Sequence, residues 1–182
     1  MKENIEYPYR VRLVKYLDAS SLSKNQLTFA CKNVRILSGL YCLLEPFDLI
    51  EEYRLEMGCK LAVGHFSNLA QFWKKTLTAT LNKELASGES IVSVASQEYM
   101  KALDIKKLNQ PVIMPVFKEK RPDGSYKNAV VHAKKARGAI VRYAIENRAE
   151  KPKDLMGFSA MGWKAAEDPP DTGSWMFTRS AE

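Results

Sequence analysis

Two short stretches carry the residue types that acid–base chemistry uses. In "EEYRLEMGCK", residues 51–60, Arg54 and Glu56 stand two apart, beside Tyr53 and just ahead of Gly58. An arginine orients a phosphate or carboxylate through its forked guanidinium, and a neighbouring glutamate can handle a proton. In "VASQEYMKAL", 94–103, Ser96 stands at a helix start, where free backbone N–H groups offer an anion seat, and Glu98, Tyr99 and Lys101 add titratable groups. Each stretch also has a plainer reading. Arg54 and Glu56 suit a buried structural ion pair, and Ser96 suits a simple helix cap. Residue type alone leaves both open.

A third stretch, "HAKKARGAIVRYAIENR" (132–148), gathers the cations Lys134, Lys135, Arg137, Arg142 and Arg148. On a helical wheel they spread over roughly 160°, opposite Ala133, Ala136, Ile140, Tyr143 and Ala144. Glu146 and Glu150 are the nearby acids, so most of these charges lack the i,i+4 partners that solvated helices favour. An anionic ligand would relieve their repulsion, and so would counter-charges from other elements. Gly138 costs roughly 1 kcal/mol against Ala inside a helix, which points to close approach by another backbone or a ligand. His65 and His132 have no metal-ligand spacing around them and read as structural, so neither a metal site nor a cofactor is expected. G-x-S-x-G, GxGxxG and P-loop patterns are absent, which removes the commonest hydrolase and nucleotide fingerprints.

The chain that must position these residues has 182 of them, 46% apolar and 10% aromatic, enough for a buried core and too many for global disorder. Its formal charge of +7 is uneven: residues 101–153 carry 14 Lys/Arg against 5 Asp/Glu. Such a concentration suits phosphate, nucleic acid or acidic partners. Cys31, Cys42 and Cys59 form neither an even set nor a CxxC, which fits a reducing cytosol better than a disulfide framework or a zinc site. No apolar run approaches the ~18 residues of a membrane span, and residues 1–12 show no signal-peptide pattern. A soluble cytoplasmic protein is expected, with no membrane partner.

Periodicity predicts a helix over 23–37, opened by the capping box Ser23–Gln26, and a second over 67–86 with Ser67 as its cap. Residues 91–95 read as a short strand, and a helical segment follows Ser96. "VIMPVF" (112–117) and "SYKNAVV" (125–131) flank the turn "RPDG" as a hairpin, with Pro115 placing the first strand at an edge or bulge. A third helix is predicted over 133–148, then a loop at "EKPKD" and a last strand at "SWMFTR". Helices and short strands intermix, so the expected class is mixed α/β (α+β).

These stretches together carry a family resemblance. "RILSGLYCLLEPFDLIEEYRLEMG" (35–58), "VASQEYMKAL" (94–103), "PVFK" (115–118) and "AKKARGAIVRYAIENR" (133–148) resemble, in order and spacing, the YaaA family of peroxide-stress proteins. The resemblance runs from about residue 17 to Arg179, leaving 1–16 as a divergent N-terminus of a single domain over 1–182. It implies a cytosolic protein linked to hydrogen-peroxide stress and to limiting free iron. It also implies a compact mixed α/β fold with a basic cleft, a helix-hairpin-helix-like element and double-stranded DNA binding, with no established reaction. The matching positions are Ser38, Gly39, Leu40 and Tyr41 of the hairpin, the YRLEMG run, and Lys134, Lys135 and Arg137. Two departures stand out. The family's opening segment with its S-P-A-K-type motif is missing, and "YRVRLVKYL" (9–17) keeps only the hydrophobic outline of the next motif. In the hairpin, Cys42 replaces a second Gly, hindering positive φ and close phosphate approach, and Glu45 stands where a basic residue is usual.

Three expectations follow. In the first, Lys134, Lys135, Arg137 and Arg142 neutralise duplex phosphates while Ser38, Gly39 and Tyr41 help position the duplex. In the second, Arg54 and the basic helix hold a phosphorylated or acidic small molecule, with Glu56 or Glu98 as acid/base. In the third, the chain is a truncated remnant that lacks core strands. Peroxide sensing by Cys59 or Cys42 would need an exposed thiolate of low pKa.

Overall fold

Ser23 and Gln26 close the reciprocal cap that their spacing predicts. The Ser23 N–H donates to Gln26 Oε1 at 2.8 Å, and the Gln26 N–H to Ser23 Oγ at 3.4 Å. The helix they open, α1 (Lys24–Asn33), is shorter than the expected 23–37. A hairpin of β1 (Ile36–Ser38) and β2 (Cys42–Leu44) claims the rest, so Leu37 pairs with Leu43 instead of extending the helical stripe. β-Branched Val34 and Ile36 favour that extended path.

The computed structural model describes residues 17–166 and 170–180, so the stretch 1–16 read as divergent lies outside it. Helix α2 (Leu69–Glu84) starts at Asn68, whose side chain accepts from the Gln71 N–H at 3.0 Å. Ser67, the expected cap, donates its own N–H and hydroxyl to Gln71 Oε1. The predicted 91–95 strand shrinks to β3 (Ile91–Val92), and Ser96 caps only the single turn α3 (Gln97–Met100). β4 (Val112–Lys120) and β5 (Tyr126–Asn128) form the expected hairpin, closed by Gly124 at φ 83°. Helix α4 (Val130–Glu146) begins three residues early, and its end is marked by Arg148 at φ 48°. The stretch read as a loop holds a 3-10 helix (Pro152–Gly157), and β6 (Lys164–Ala165) precedes the last strand, β7 (Gly173–Ser180). Helices and strands intermix along the described chain, a mixed α/β fold.

The larger sheet runs β3–β4–β7–β6, with β5 also on β4. β4 and β7 are parallel, from Ile113 opposite Gly173 to Lys120 opposite Ser180. Pro115 therefore sits in an interior strand, not at an edge or bulge. The ladder from β3 explains why this is tolerated. Ile91 N–H donates to Pro111 O and Ser93 N–H to Ile113 O. The next donor in such a parallel ladder would be the N–H of residue 115, which proline lacks, so the β3 pairing stops there.

The chain divides into two compact units, residues 17–30, 92–94 and 113–180 in one, and 31–91 and 95–112 in the other. The first unit's core is aromatic: Phe117 stacks on Phe177 at 5.3 Å and meets Trp163 edge-on at 5.2 Å, with Ala136 and Ile140 of α4 buried among them. The second unit packs Leu69, Leu77 and Leu81 of α2 against Met57, Ala102 and Leu103. Within the α2 stripe, Thr78 is buried as well, and its hydroxyl accepts from the Asp104 N–H at 3.0 Å while donating to Lys74 O.

At the end of β4 the buried alternation Ile113, Pro115, Phe117 delivers a charged residue, Glu119, 3% exposed. The register sets it between Lys127 of β5 and Arg179 of β7, so a cation, an anion and a cation lie in one row across three strands. Glu119 Oε1 accepts from Arg179 Nη2 at 2.7 Å and lies 2.7 Å from His132 Nδ1 of α4, while Oε2 meets Lys127 Nζ at 3.1 Å. Arg179 also lies over the Trp163 ring at 5.1 Å. The Arg179 guanidinium holds the Glu119 carboxyl down to about 2 from an ordinary 4.5, against the opposing effect of burial, and His132 and Lys127 add to the pull.

A carboxyl whose pKa falls on folding stabilises the protein above its unfolded pKa and loses that contribution as pH drops through its folded one. The gap in unfolding free energy between wild type and Glu119→Gln should thus be full above pH 4.5 and shrink as pH falls toward 2. Denaturant titrations across that range would test it, and a gap independent of pH would refute the assignment.

Candidate functional site

Residues 45–66 follow the hairpin with no helix and only an isolated bridge from Val63 to Phe66. What orders them is hydrogen bonding to side chains. The Gly58 N–H donates to Glu98 Oε1 at 2.6 Å, and a Cβ on Gly58 would stand 2.7 Å from that carboxylate. A side chain at 58 would push the Glu98 carboxylate aside and strain this contact. Around the contact lies an open pocket of about 340 Å³ lined by Arg54, Leu55, Glu56, Gly58, Cys59 and Glu98. Arg54, Glu56 and Glu98, drawn from two separate stretches of the chain, thus share one pocket. Arg54 and Glu56 are both exposed, so the buried-pair reading does not hold. Burial pushes the Tyr99 phenol up, with the nearby Tyr53, Glu98 and Glu56 adding to the rise. A guanidinium and two carboxylates lining one pocket can orient an acidic group and exchange a proton with it.

The hairpin candidates do something different. Ser38 is 1% exposed, and its Oγ accepts from the Tyr41 N–H at 2.8 Å and bonds to the Tyr53 hydroxyl at 2.5 Å. A Cβ on Gly39 would overlap the Leu55 carbonyl oxygen, and Trp73 Nε1 donates to Gly39 O at 2.8 Å. Tyr41 meets Tyr53 edge-on at 5.5 Å. Ser38, Gly39 and Tyr41 therefore fasten the turn to residues 51–55. Cys42 adopts φ 69°, the left-handed conformation expected of a glycine, with its thiol buried and pushed up in pKa by that burial. A buried, protonated thiol is poorly suited to peroxide sensing, whereas Cys59 is exposed at the pocket.

On α4, Lys134 is exposed and Lys135 half-buried. Arg142 is engaged: its Nε donates to Glu146 at 2.8 Å, and its Nη1 to the carbonyls of Leu17 and Asp18 and to Ser21 Oγ. Arg137 is the opposite case. Burial lowers its pKa, and its Nε has no hydrogen-bond partner among the described residues. The hairpin and pocket residues belong to the second unit and the α4 residues to the first. Sequence reasoning missed the Glu119 row and treated His132 as a lone structural histidine. The signal was the alternation that puts residue 119 on the core face of β4.

A Cys held at positive φ carries about 1 kcal/mol of backbone strain, roughly what a buried thiol regains by packing. Cys42→Gly should therefore unfold within about 1 kcal/mol of wild type. Cys42→Val, β-branched and larger, should lose about 2 kcal/mol or more. Equal losses in the two variants, measured by urea titration, would mean that thiol packing and not backbone conformation governs the site.

Comparison with known proteins gives this arrangement a family. The model of the family described as "Peroxide stress protein YaaA" matches residues 9–169. A UPF0246 protein of Flavobacterium johnsoniae is 48% identical over 163 residues, 90% of this chain and 64% of that protein. One from Colwellia psychrerythraea is 44% identical over 165 residues, again 90% and 64%, and one from Chromobacterium violaceum 40% over 178, covering 97% and 69%. The chain thus spans about 64% of the length of the first two. With most of its residues matched by the family model and this level of identity to its relatives, the chain belongs to the YaaA family of peroxide stress proteins.

Proposed function

We propose that this chain serves its family's response to hydrogen peroxide by binding double-stranded DNA through phosphate contacts, with limitation of free iron as the downstream effect. The observation that carries this reading is Arg137, half-buried, with its Nε unpartnered among the described residues. A half-buried guanidinium short of protein partners keeps its charge at a cost, and a phosphate at its accessible end would offset that cost. Lys134 and Lys135 flank it in sequence and add charge, while Arg142 contributes charge from its engaged position. The basic cleft and helix-hairpin-helix-like element belong to the same proposal. In it, Ser38, Gly39 and Tyr41 would act by holding the shape of the β1–β2 hairpin for the duplex.

Removing one phosphate-binding cation should reduce the slope of log K against log salt by about 0.9. Replacing Lys134, Lys135 and Arg137 with Ala should therefore flatten the slope by about 2.7 in fluorescence-anisotropy titrations of a duplex. Binding insensitive to salt, or an unchanged slope in the variant, would defeat the reading.

A second reading is favoured by the pocket that gathers Arg54, Glu56 and Glu98. It takes an acidic or phosphorylated small molecule, with Arg54 orienting the anion and Glu56 or Glu98 exchanging the proton. Nucleoside phosphates should then raise the melting temperature saturably in wild type and not in Arg54→Ala. A similar rise in both proteins would place the ligand elsewhere.

A further inference from the structure

Strand register divides the larger sheet into two faces of unlike chemistry. On the core side Phe117 pairs with Phe177 and Phe177 with Ala165, and Glu119 lies on that side with Lys127 and Arg179. Side chains alternate along a strand, so the residues between these point the other way. A row on the outer face therefore runs Asn128 of β5, Lys118 of β4, Thr178 of β7 and Lys164 of β6. In the next row Tyr126 stands across from Lys120. Lys120, Tyr126, Asn128 and Lys164 are exposed, Tyr126 at 45%, and Lys118 and Thr178 are half-buried. Helix α4 lies on the opposite side, where Ala136 and Ile140 pack into the core.

A solvated sheet face gains from opposite charges set across neighbouring strands and loses from like ones. This face does not use that device. Glu119 is the one acid in β4, β5, β6 and β7, and it points into the core. Among the described residues no carboxylate pairs with Lys118, Lys120 or Lys164. The lysines hold a surplus of one sign that a polyanion would neutralise. Tyr126 adds a second preference. Its place opposite Lys120 sets an aromatic ring beside an ammonium-bearing chain, with Cβ atoms about 5 Å apart. A base can stack on the ring while the adjoining phosphate meets the lysine. A duplex keeps its bases stacked on one another and offers the ring no free base face, whereas a single strand does. Asn128 supplies an amide that both donates to and accepts from base edges.

We infer that the outer face of this sheet is a platform for single-stranded nucleic acid, with Lys118, Lys120 and Lys164 on the phosphates and Tyr126 stacking on a base. This goes beyond the duplex reading, which rests on α4 at the other side of the sheet, and either can fail without the other.

The test is fluorescence anisotropy on the whole chain with labelled oligothymidylate, which forms no duplex with itself. Each phosphate-contacting cation contributes about 0.7 to the slope of log K against log salt for a single strand. Replacing Lys118, Lys120 and Lys164 with Ala should flatten that slope by about 2.1, and replacing them with Arg should keep it. Tyr126→Ala should weaken binding about fivefold or more, and Tyr126→Phe should retain it. Replacing Lys134, Lys135 and Arg137 with Ala should keep the oligothymidylate slope, and an unlabelled blunt duplex and inorganic polyphosphate should both compete poorly. An unchanged slope in the lysine-to-alanine protein, an indifferent Tyr126→Ala, or competition by duplex or polyphosphate equal to that of the single strand would overturn the inference.

Discussion

Taking a carboxylate out of water costs several kcal/mol unless other groups replace the lost hydration, and Glu119 is the place where the first unit meets that demand. Its replacements come from β5, α4 and β7, through Lys127, His132 and Arg179. None of the three is near it in the chain except by way of the hairpin, so the strand register and the helix start must all be right for the charge to be satisfied. Removing one partner would leave the others facing an under-compensated ion. A wrong register by one residue would move Glu119 to the opposite face, away from all three. The ionic row and the aromatic core are also joined physically, since Arg179 lies over Trp163, which packs on Phe117.

The second unit is organised on another principle. Its core is small and largely aliphatic, and one long stretch of it, residues 45–66, is irregular. Such backbone needs partners for its polar groups, and side chains supply them. Ser38 closes the hairpin turn, Asn82 reaches Lys107 O and the Asn109 N–H, Trp73 caps Gly39 O, and Glu98 takes the Gly58 N–H. The pocket is a by-product of the last of these. Drawing Gly58 onto Glu98 places Arg54 and Glu56 on its rim.

What was legible in the sequence was local. The Ser23–Gln26 cap, the α2 stripe, the RPDG turn and the last strand depend on residues within a few positions of one another, and each appears as read. The end of α1 was not legible, because a hairpin pairing with Leu43 outcompetes a helical stripe that is acceptable on its own. Pro115 was misread because its cost depends on whether a neighbour asks for its missing N–H. Arg54, Glu56 and Glu98 were singled out by type, while the pocket they share rests on one hydrogen bond between residues 58 and 98. Cys42 keeps the backbone geometry that a glycine would favour, so the change of residue did not remove the turn. The Glu119 row was the costliest omission. A glutamate in phase with Ile113 and Phe117 was visible, but its meaning required the register of two other strands.

The parallel pairing of β4 with β7 joins residues that sit sixty positions apart in register, Ile113 opposite Gly173. As the chain leaves the ribosome, the β4–β5 hairpin and α4 can form from neighbouring segments, and Lys127 and His132 can reach Glu119 early. Arg179 arrives only with the final strand. Until then one side of β4 is an open strand edge, and the aromatic faces of Phe117 and Phe158 lack Phe177. Non-local closure of this kind is slow compared with hairpin or helix formation. The first unit therefore passes through an interval of synthesis in which it is half-built, with an open strand edge and uncovered aromatic faces.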